Sequence, residues 1–230
     1  MTEWWTYTLS DFLLFSPRTY YRLFELHHRT LWPLQLAAVG AGAAMLALAL
    51  RDAPRPGRVA GALAAAAWLW VAWSWFLARY ATINWAADAI AAAFVVQGLL
   101  LLGSGVVTTR LEFAAGPGVR RSLGIAIVLA ALFVQPLAGV PFGRPLAQAE
   151  VFGITPAPTA TATLGLLVLA RRTRWELALL PTCACLLDGA TLLAIDAPDA
   201  WVAPAIALAA LLGLGLAPAA AKGQRRGATC

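Results

Sequence analysis

An all-α fold is predicted, a polytopic transmembrane bundle of about seven spans with an interfacial aromatic segment ahead of it. Three observations carry the prediction. Of 230 residues, 61% are hydrophobic and 12% charged, and mean hydropathy is +0.74; a water-soluble chain carries about a quarter charged residues to cover its surface. The apolar residues fall in runs of roughly 20, the helix length that crosses about 30 Å of hydrocarbon at 1.5 Å per residue. The arginines are grouped between alternate runs, as membrane topology groups them.

Taken in order, residues 1–30 read as an outer interfacial segment. Trp4, Trp5, Phe12 and Phe15 lead to Ser16-Pro17, an N-cap followed by proline at the first helical position. The helix predicted over 18–29 sets Tyr20, Tyr21 and Phe24 beside Arg22, Glu25 and Arg29, with Glu25 four residues before Arg29 in the favourable ion-pair order. Such a segment lies at the interface as an aromatic anchor; the sharper alternative is a lid over an external pocket. Spans follow at 31–50, 59–78, 85–107, 122–140, 151–170, 176–195 and 201–219, making 31–219 the bundle, and 220–230 form a basic cytoplasmic tail. Membrane β-strands are excluded, because they run about ten residues and alternate in polarity.

Orientation follows from Lys and Arg. Arg51, Arg55 and Arg58 follow span one; Arg110, Arg120 and Arg121 follow span three; Arg171, Arg172 and Arg174 follow span five; Lys222, Arg225 and Arg226 occupy the tail. The opposite loops hold Arg79, Arg144, and then Asp196 and Asp199 with no base. The N-terminus is therefore expected outside and the C-terminus in the cytoplasm. The net charge of +6 belongs to these loops and does not point to nucleic acid. No signal peptide is expected, since the first 17 residues hold no Lys or Arg. The three cysteines give no disulfide framework, and the terminal Gly-Ala-Thr-Cys is not a prenylation box.

Ionisable groups inside hydrocarbon are costly and are candidates for function. Asp188 lies seven residues before Ile195, about 10 Å below the outer boundary by helical rise, on a stripe with Thr182, Cys185 and Thr191. In span five, Pro156 and Pro158 are expected to free the carbonyls of Phe152 and Ile154 and to break the helix, exposing backbone oxygens as interrupted membrane helices do. Asn84, Asp88, Gln135, Glu150, Thr155 and Glu25 complete the candidate binding set, all in the outer half, whereas the inner half offers mainly Gly103, Ser104, Thr108 and Thr163. Gln97 reads as a helix–helix hydrogen bond. Trp68 and Trp70 lie too deep for an interfacial belt and are candidates to line a cavity.

Cofactor classes narrow as well. A zinc hydrolase is not expected: the two histidines, His27 and His28, are adjacent and diverge on a helix, and Cys183 and Cys185 diverge too. A retinal protein is not expected either, because the single lysine, Lys222, falls in the tail.

The stretches Phe15-Ser-Pro-Arg-Thr-Tyr-Tyr-Arg-Leu-Phe-Glu-Leu-His-His, Ile83-Asn-Trp-Ala-Ala and Glu150-Val-Phe-Gly-Ile-Thr-Pro-Ala-Pro-Thr resemble an uncharacterised family of small bacterial multi-pass membrane proteins that carries a domain-of-unknown-function label. The resemblance covers almost the whole chain. It implies a fold and a bacterial cytoplasmic (inner) membrane, but no activity. Glu25, Asn84, Glu150, Pro156 and Pro158 lie inside the matching stretches; Asp188 lies outside them.

Three functions compete on this reading. The leading one is a protein that binds, and in its stronger form transports, a small solute or cation through an outward-facing polar site. The second is a membrane-embedded enzyme with a carboxylate acid or base at the outer face. The third is an accessory subunit of a larger membrane complex. The lipid bilayer is the partner common to all three.

Overall fold

Apolar helix after apolar helix, joined by short connections, leaves the chain few ways to pack except as a bundle of antiparallel neighbours. A computed structural model describes residues 15–51, 54–108, 111–113 and 118–216. Trp4, Trp5, Phe12, Arg110, Lys222, Arg225 and Arg226 lie outside the described residues, as does the 220–230 tail. Among the described residues there are eight α-helices and no β-strand: α1 (Pro17–Leu31), α2 (Leu34–Ala49), α3 (Pro54–Val71), α4 (Ala87–Leu102), α5 (Val119–Leu129), α6 (Pro156–Leu169), α7 (Trp175–Ala194) and α8 (Val202–Gly215). Widened π-type turns extend α3 through Ala72–Leu77, α4 through Gly103–Val107 and α5 through Ala130–Val134.

Four continuous helical stretches, Arg55–Thr82, Ala87–Val107, Val119–Phe142 and Trp175–Ala194, are long and apolar enough to cross a membrane; α1 and α2 taken as one bent pair make a fifth. Leucines that a soluble protein would cover stand on the outside of the bundle, Leu36, Leu99, Leu179, Leu208 and Leu212 each being more than half exposed. The shorter apolar helices α6 and α8 have 14 residues each, about 21 Å by helical rise.

α6 owes its shortness to its place. Every residue from Ala157 to Leu169 is buried, with α5, α7, α8, α3 and α2 packed around it. A helix enclosed by protein has no lipid thickness to match. Its closest neighbour is α5: a Cβ at Gly165 would stand 2.8 Å from Val128 Cγ2 and 2.9 Å from the Val128 nitrogen, so only glycine permits this approach.

Two sequence expectations need correction here. Span five does not run 151–170 and is not broken. The helix starts at Pro156, placing both prolines in the first turn, where a missing N–H costs nothing because those donors have no intrahelical partner. In α1, Ser16 caps the helix as expected, accepting from the Thr19 backbone N–H at 3.2 Å, but Glu25 pairs with Arg22 at 2.6 Å rather than with Arg29. Glu25 turns back because the Gln148 amide also donates to it, at 2.7 Å.

Candidate functional site

α1 stands at 89° to α2 and lies across the end of the bundle opposite the arginine-rich loops. Its apolar side, Tyr20, Leu23, Phe24 and His27, is buried. Phe24 packs on Trp75 with ring centroids 4.4 Å apart, and Tyr20 meets Phe24 edge-on at 5.1 Å. Polar ties fasten the helix to the loop that leads into α6. His27 Nε2 donates to the Ile154 carbonyl at 3.2 Å, an oxygen that lies just ahead of the α6 N-cap. His28 Nε2 donates to the Ala149 carbonyl at 2.7 Å, while its Nδ1 accepts from Gln35 Nε2 at 3.0 Å. Arg79 closes the far end by donating to Thr30 Oγ1 at 2.6 Å.

Burial decides the charge of these groups. It holds His27 down to about 4, against the opposing effect of the Ile154 hydrogen bond, and holds His28 below the usual histidine range. Both are therefore neutral at pH 7. Glu25 is held below the usual carboxylate range, first by the Gln148 hydrogen bond and then by Arg22.

Beneath α1 lies a group of acids. Glu150 and Asp199 are buried and Asp188 is half-buried, and the three lie near enough to feel one another's charge. One base joins them: Arg144 pairs with Asp199 Oδ2, with 11% and 5% of the two side chains exposed, and its guanidinium sits 4.8 Å above the Tyr21 ring. Among the described residues Asp199 Oδ1 has no partner. Burial pushes Glu150 up to about 7; Arg144 opposes the shift and Asp199 adds to it. A cavity of about 40 Å³ opens beside Asp188, lined also by Tyr20, Trp75, Phe76, Tyr80 and Thr191, with room for a water or two.

The expected site residues distribute unevenly around this centre. Asp188 and Glu150 belong to it. Asn84 stands at its edge, donating to the Tyr80 hydroxyl at 2.8 Å and capping the chain through the Ala86 N–H at 2.9 Å. Glu25 sits above it on α1. Thr155 is wholly buried and spends its hydroxyl on the Val151 backbone. Gln135 accepts from Thr161 Oγ1 at 2.7 Å inside the bundle, away from the cavity lining. Asp88 is exposed on the first turn of α4 and does not join the cluster. Trp68 is buried and donates to Thr163 Oγ1 at 2.8 Å. Gln97 makes a helix–helix bond, donating to the Leu177 carbonyl at 2.9 Å.

Arg144, Asp199, Tyr20 and Tyr80 are site residues that sequence reasoning passed over. Arg144 had a topological meaning only, and Asp199 looked like a loop acid in water. One arginine on an otherwise base-poor side, with an acid in a neighbouring short loop, was the available signal.

Chemically, the centre offers oxygen acceptors in excess of positive charge. Among the described residues no three side chains of His, Cys, Asp or Glu converge as a metal-ligand set. A ligand that donates hydrogen bonds or carries a positive charge on nitrogen would suit Asp188 and its neighbours. No curated protein and no solved structure matches the chain. A family model does match residues 18–221, a range running from the start of α1 past the end of α8, and the chain therefore belongs to DUF6064, a family of unknown function.

Proposed function

We propose that this is a multi-pass protein of a bacterial cytoplasmic membrane whose acidic site faces outward and binds a small cationic solute. One observation carries the reading: half-buried Asp188 lines the cavity and feels the charge of the buried carboxylates Glu150 and Asp199, with Arg144 paired to Asp199 as their base. Charges buried in low dielectric need a counter-charge or a proton, and a cation supplies the first. The outward assignment rests on the arginine-rich loops at the opposite end. Support is for binding rather than passage. Beyond Thr163 the core helix continues as Leu164, Leu166, Leu167, Val168 and Leu169, all apolar and buried.

The test is thermal unfolding of the purified protein across inorganic cations, short amines and polyols, with wild type beside Asp188→Asn and Glu150→Gln. A cation that binds the folded state raises the midpoint by mass action, about 2.7 kcal/mol at a hundredfold excess over Kd. The expected result is stabilisation of wild type by one class of cation and at least a tenfold loss of affinity in Asp188→Asn. Stabilisation that both variants retain in full would remove the carboxylates from the site.

A further inference from the structure

The cavity beside Asp188 adjoins a second space. Between α3, α4 and α7 an apolar groove of about 250 Å³, half open to the outside of the bundle, is bounded by Trp68, Ala89, Ala93, Leu180 and Cys183. Ile90, Phe94, Ala184 and Leu187 line both spaces, so the polar end and the apolar groove adjoin across these four side chains. Small side chains make the groove: Ala86 just before α4, and Ala89 and Ala93 on it, stand opposite Cys183 and Ala184 of α7. Small residues usually let membrane helices close up, yet here they leave a slot.

The slot has a direction. Along α7, Asp188 and Thr191 stand at the polar end, and Leu180 lies eight residues deeper, about 12 Å by helical rise. Polar head toward the outer end and apolar stem running inward past the midplane is the head-to-tail sense of an outer-leaflet lipid, set deeper than a lipid headgroup.

We propose that the ligand is a single-chain amphiphile with a protonated amine head, which enters sideways from the outer leaflet between α4 and α7, lays its chain along Ala89, Ala93 and Leu180, and sets its amine on Asp188. The inference rests on the cation-binding reading of the acidic site and adds the ligand class and the route. Charge complementarity selects the head: the carboxylates outnumber Arg144, so an amine is accepted and a fatty carboxylate is repelled. The groove selects the tail, since its lining is almost wholly apolar and a buried chain gains about 0.8 kcal/mol per methylene.

The full-length protein in phosphatidylcholine nanodiscs provides the test, with propylamine, dodecylamine, dodecanol and dodecanoate as probes of thermal stability. Ala93→Phe fills the groove, Ala89→Phe fills it from the adjacent turn, and Asp188→Asn removes the head site. Dodecylamine is expected to bind wild type at least tenfold more tightly than either groove variant, while propylamine binds all three alike. Asp188→Asn should lose both amines, and dodecanoate should leave every protein unchanged. If both groove variants hold dodecylamine as tightly as wild type does, the lateral route is wrong, and a propylamine response lost in Asp188→Asn keeps the outer cation site standing. If propylamine has no effect and dodecylamine and dodecanol act equally on wild type and Asp188→Asn, the groove holds ordinary lipid and both readings fall.

Discussion

Glu150 and His27 titrate in opposite senses over the same pH range. Burial moves the acid from 4.5 up to about 7 and the imidazole from 6.5 down to about 4. The folded state holds the Glu150 proton more tightly than the unfolded chain does, so its contribution is complete below pH 4.5 and is lost as pH rises to about 7. His27 contributes fully above pH 6.5 and loses that as pH falls to about 4, with His28 adding in the same sense. Between these limits the slopes oppose each other, and wild-type unfolding temperature should vary less with pH than that of a variant lacking Glu150. Glu150→Gln leaves the histidine slope alone: stability should fall by on the order of 2–3 kcal/mol from pH 6.5 to 4. His27→Gln should show the opposite slope, losing stability as pH rises through 4.5 to 7. Melting curves on the three proteins across pH 4–8 decide it, and slopes of the same sign in both variants would refute the assignment. A second residue-scale pairing involves Pro181, inside α7, which has no N–H for the Leu177 carbonyl four residues back. Gln97 serves that carbonyl instead. Gln97→Ala should destabilise by about 1 kcal/mol in wild type and by little in Pro181→Ala, where the restored N–H takes over. A double-mutant cycle measures the difference, and full additivity would disprove the exchange.

At the scale of elements, the arginine-rich end does more than orient the chain. The helices that end there, α2, α4, α6 and α8, present unpaired carbonyls and the negative pole of the helix dipole. Arg121 donates to Leu50 O just beyond α2, at 3.5 Å, and Arg58 to Val106 O in the turn that extends α4, at 2.9 Å. Arg120 serves two helices at once, its Nε bonding Val168 O of α6 at 2.9 Å and its Nη1 bonding Leu216 O beyond α8 at 3.5 Å. The same arginines that the orientation count uses thus cap the helices. Arg120→Met should cost about 2–3 kcal/mol, and Arg120→Lys an intermediate amount, because an ammonium cannot span two carbonyls as the guanidinium fork does. Arg172→Met, at an exposed position, serves as the control and should be neutral. Chemical unfolding of the four proteins tests this; equal losses at Arg120 and Arg172 would show that charge, not capping, is what matters. The prolines of α6 teach the complementary lesson. Pro156 and Pro158 read from the sequence as a break, whereas the structure makes them the first turn of α6. What decides is the loop before them, where Gly153 at φ +69° turns the chain, its N–H donates to Thr159 Oγ1 at 2.9 Å and His27 takes up the Ile154 carbonyl.

For the whole molecule, what the sequence makes legible is whatever hydrophobicity and spacing determine. The helices lie close to the predicted runs, as α7 at 175–194 against 176–195 illustrates, and Ser16-Pro17 marks the start of α1 because its chemistry is local. Length is less legible: α6 is shorter than its span because being enclosed by five neighbours frees it from the bilayer's dimensions, and enclosure is not a local property. The site is half legible for the same reason. Asp188 stands out as an acid in an apolar run, and Glu150 as an acid at its edge. Asp199 and Arg144 acquire meaning only when the 195–201 and 143–155 loops fold inward and meet under α1. The proposed capture of a cation from outside also depends on a property of the entire chain, its orientation. By the arginine count the acidic end is expected outside. Labelling with a membrane-impermeant maleimide tests the placement. Cys183 and Cys185 are replaced by Ala, leaving Cys230 in the tail as one reporter, and a second protein carries Pro198→Cys with Cys230 also removed. Position 198 should label in intact cells and Cys230 only in inverted vesicles. The reverse pattern would put Asp188, Glu150 and the open side of the groove in the cytoplasm, and the ligand would then have to come from the inner leaflet.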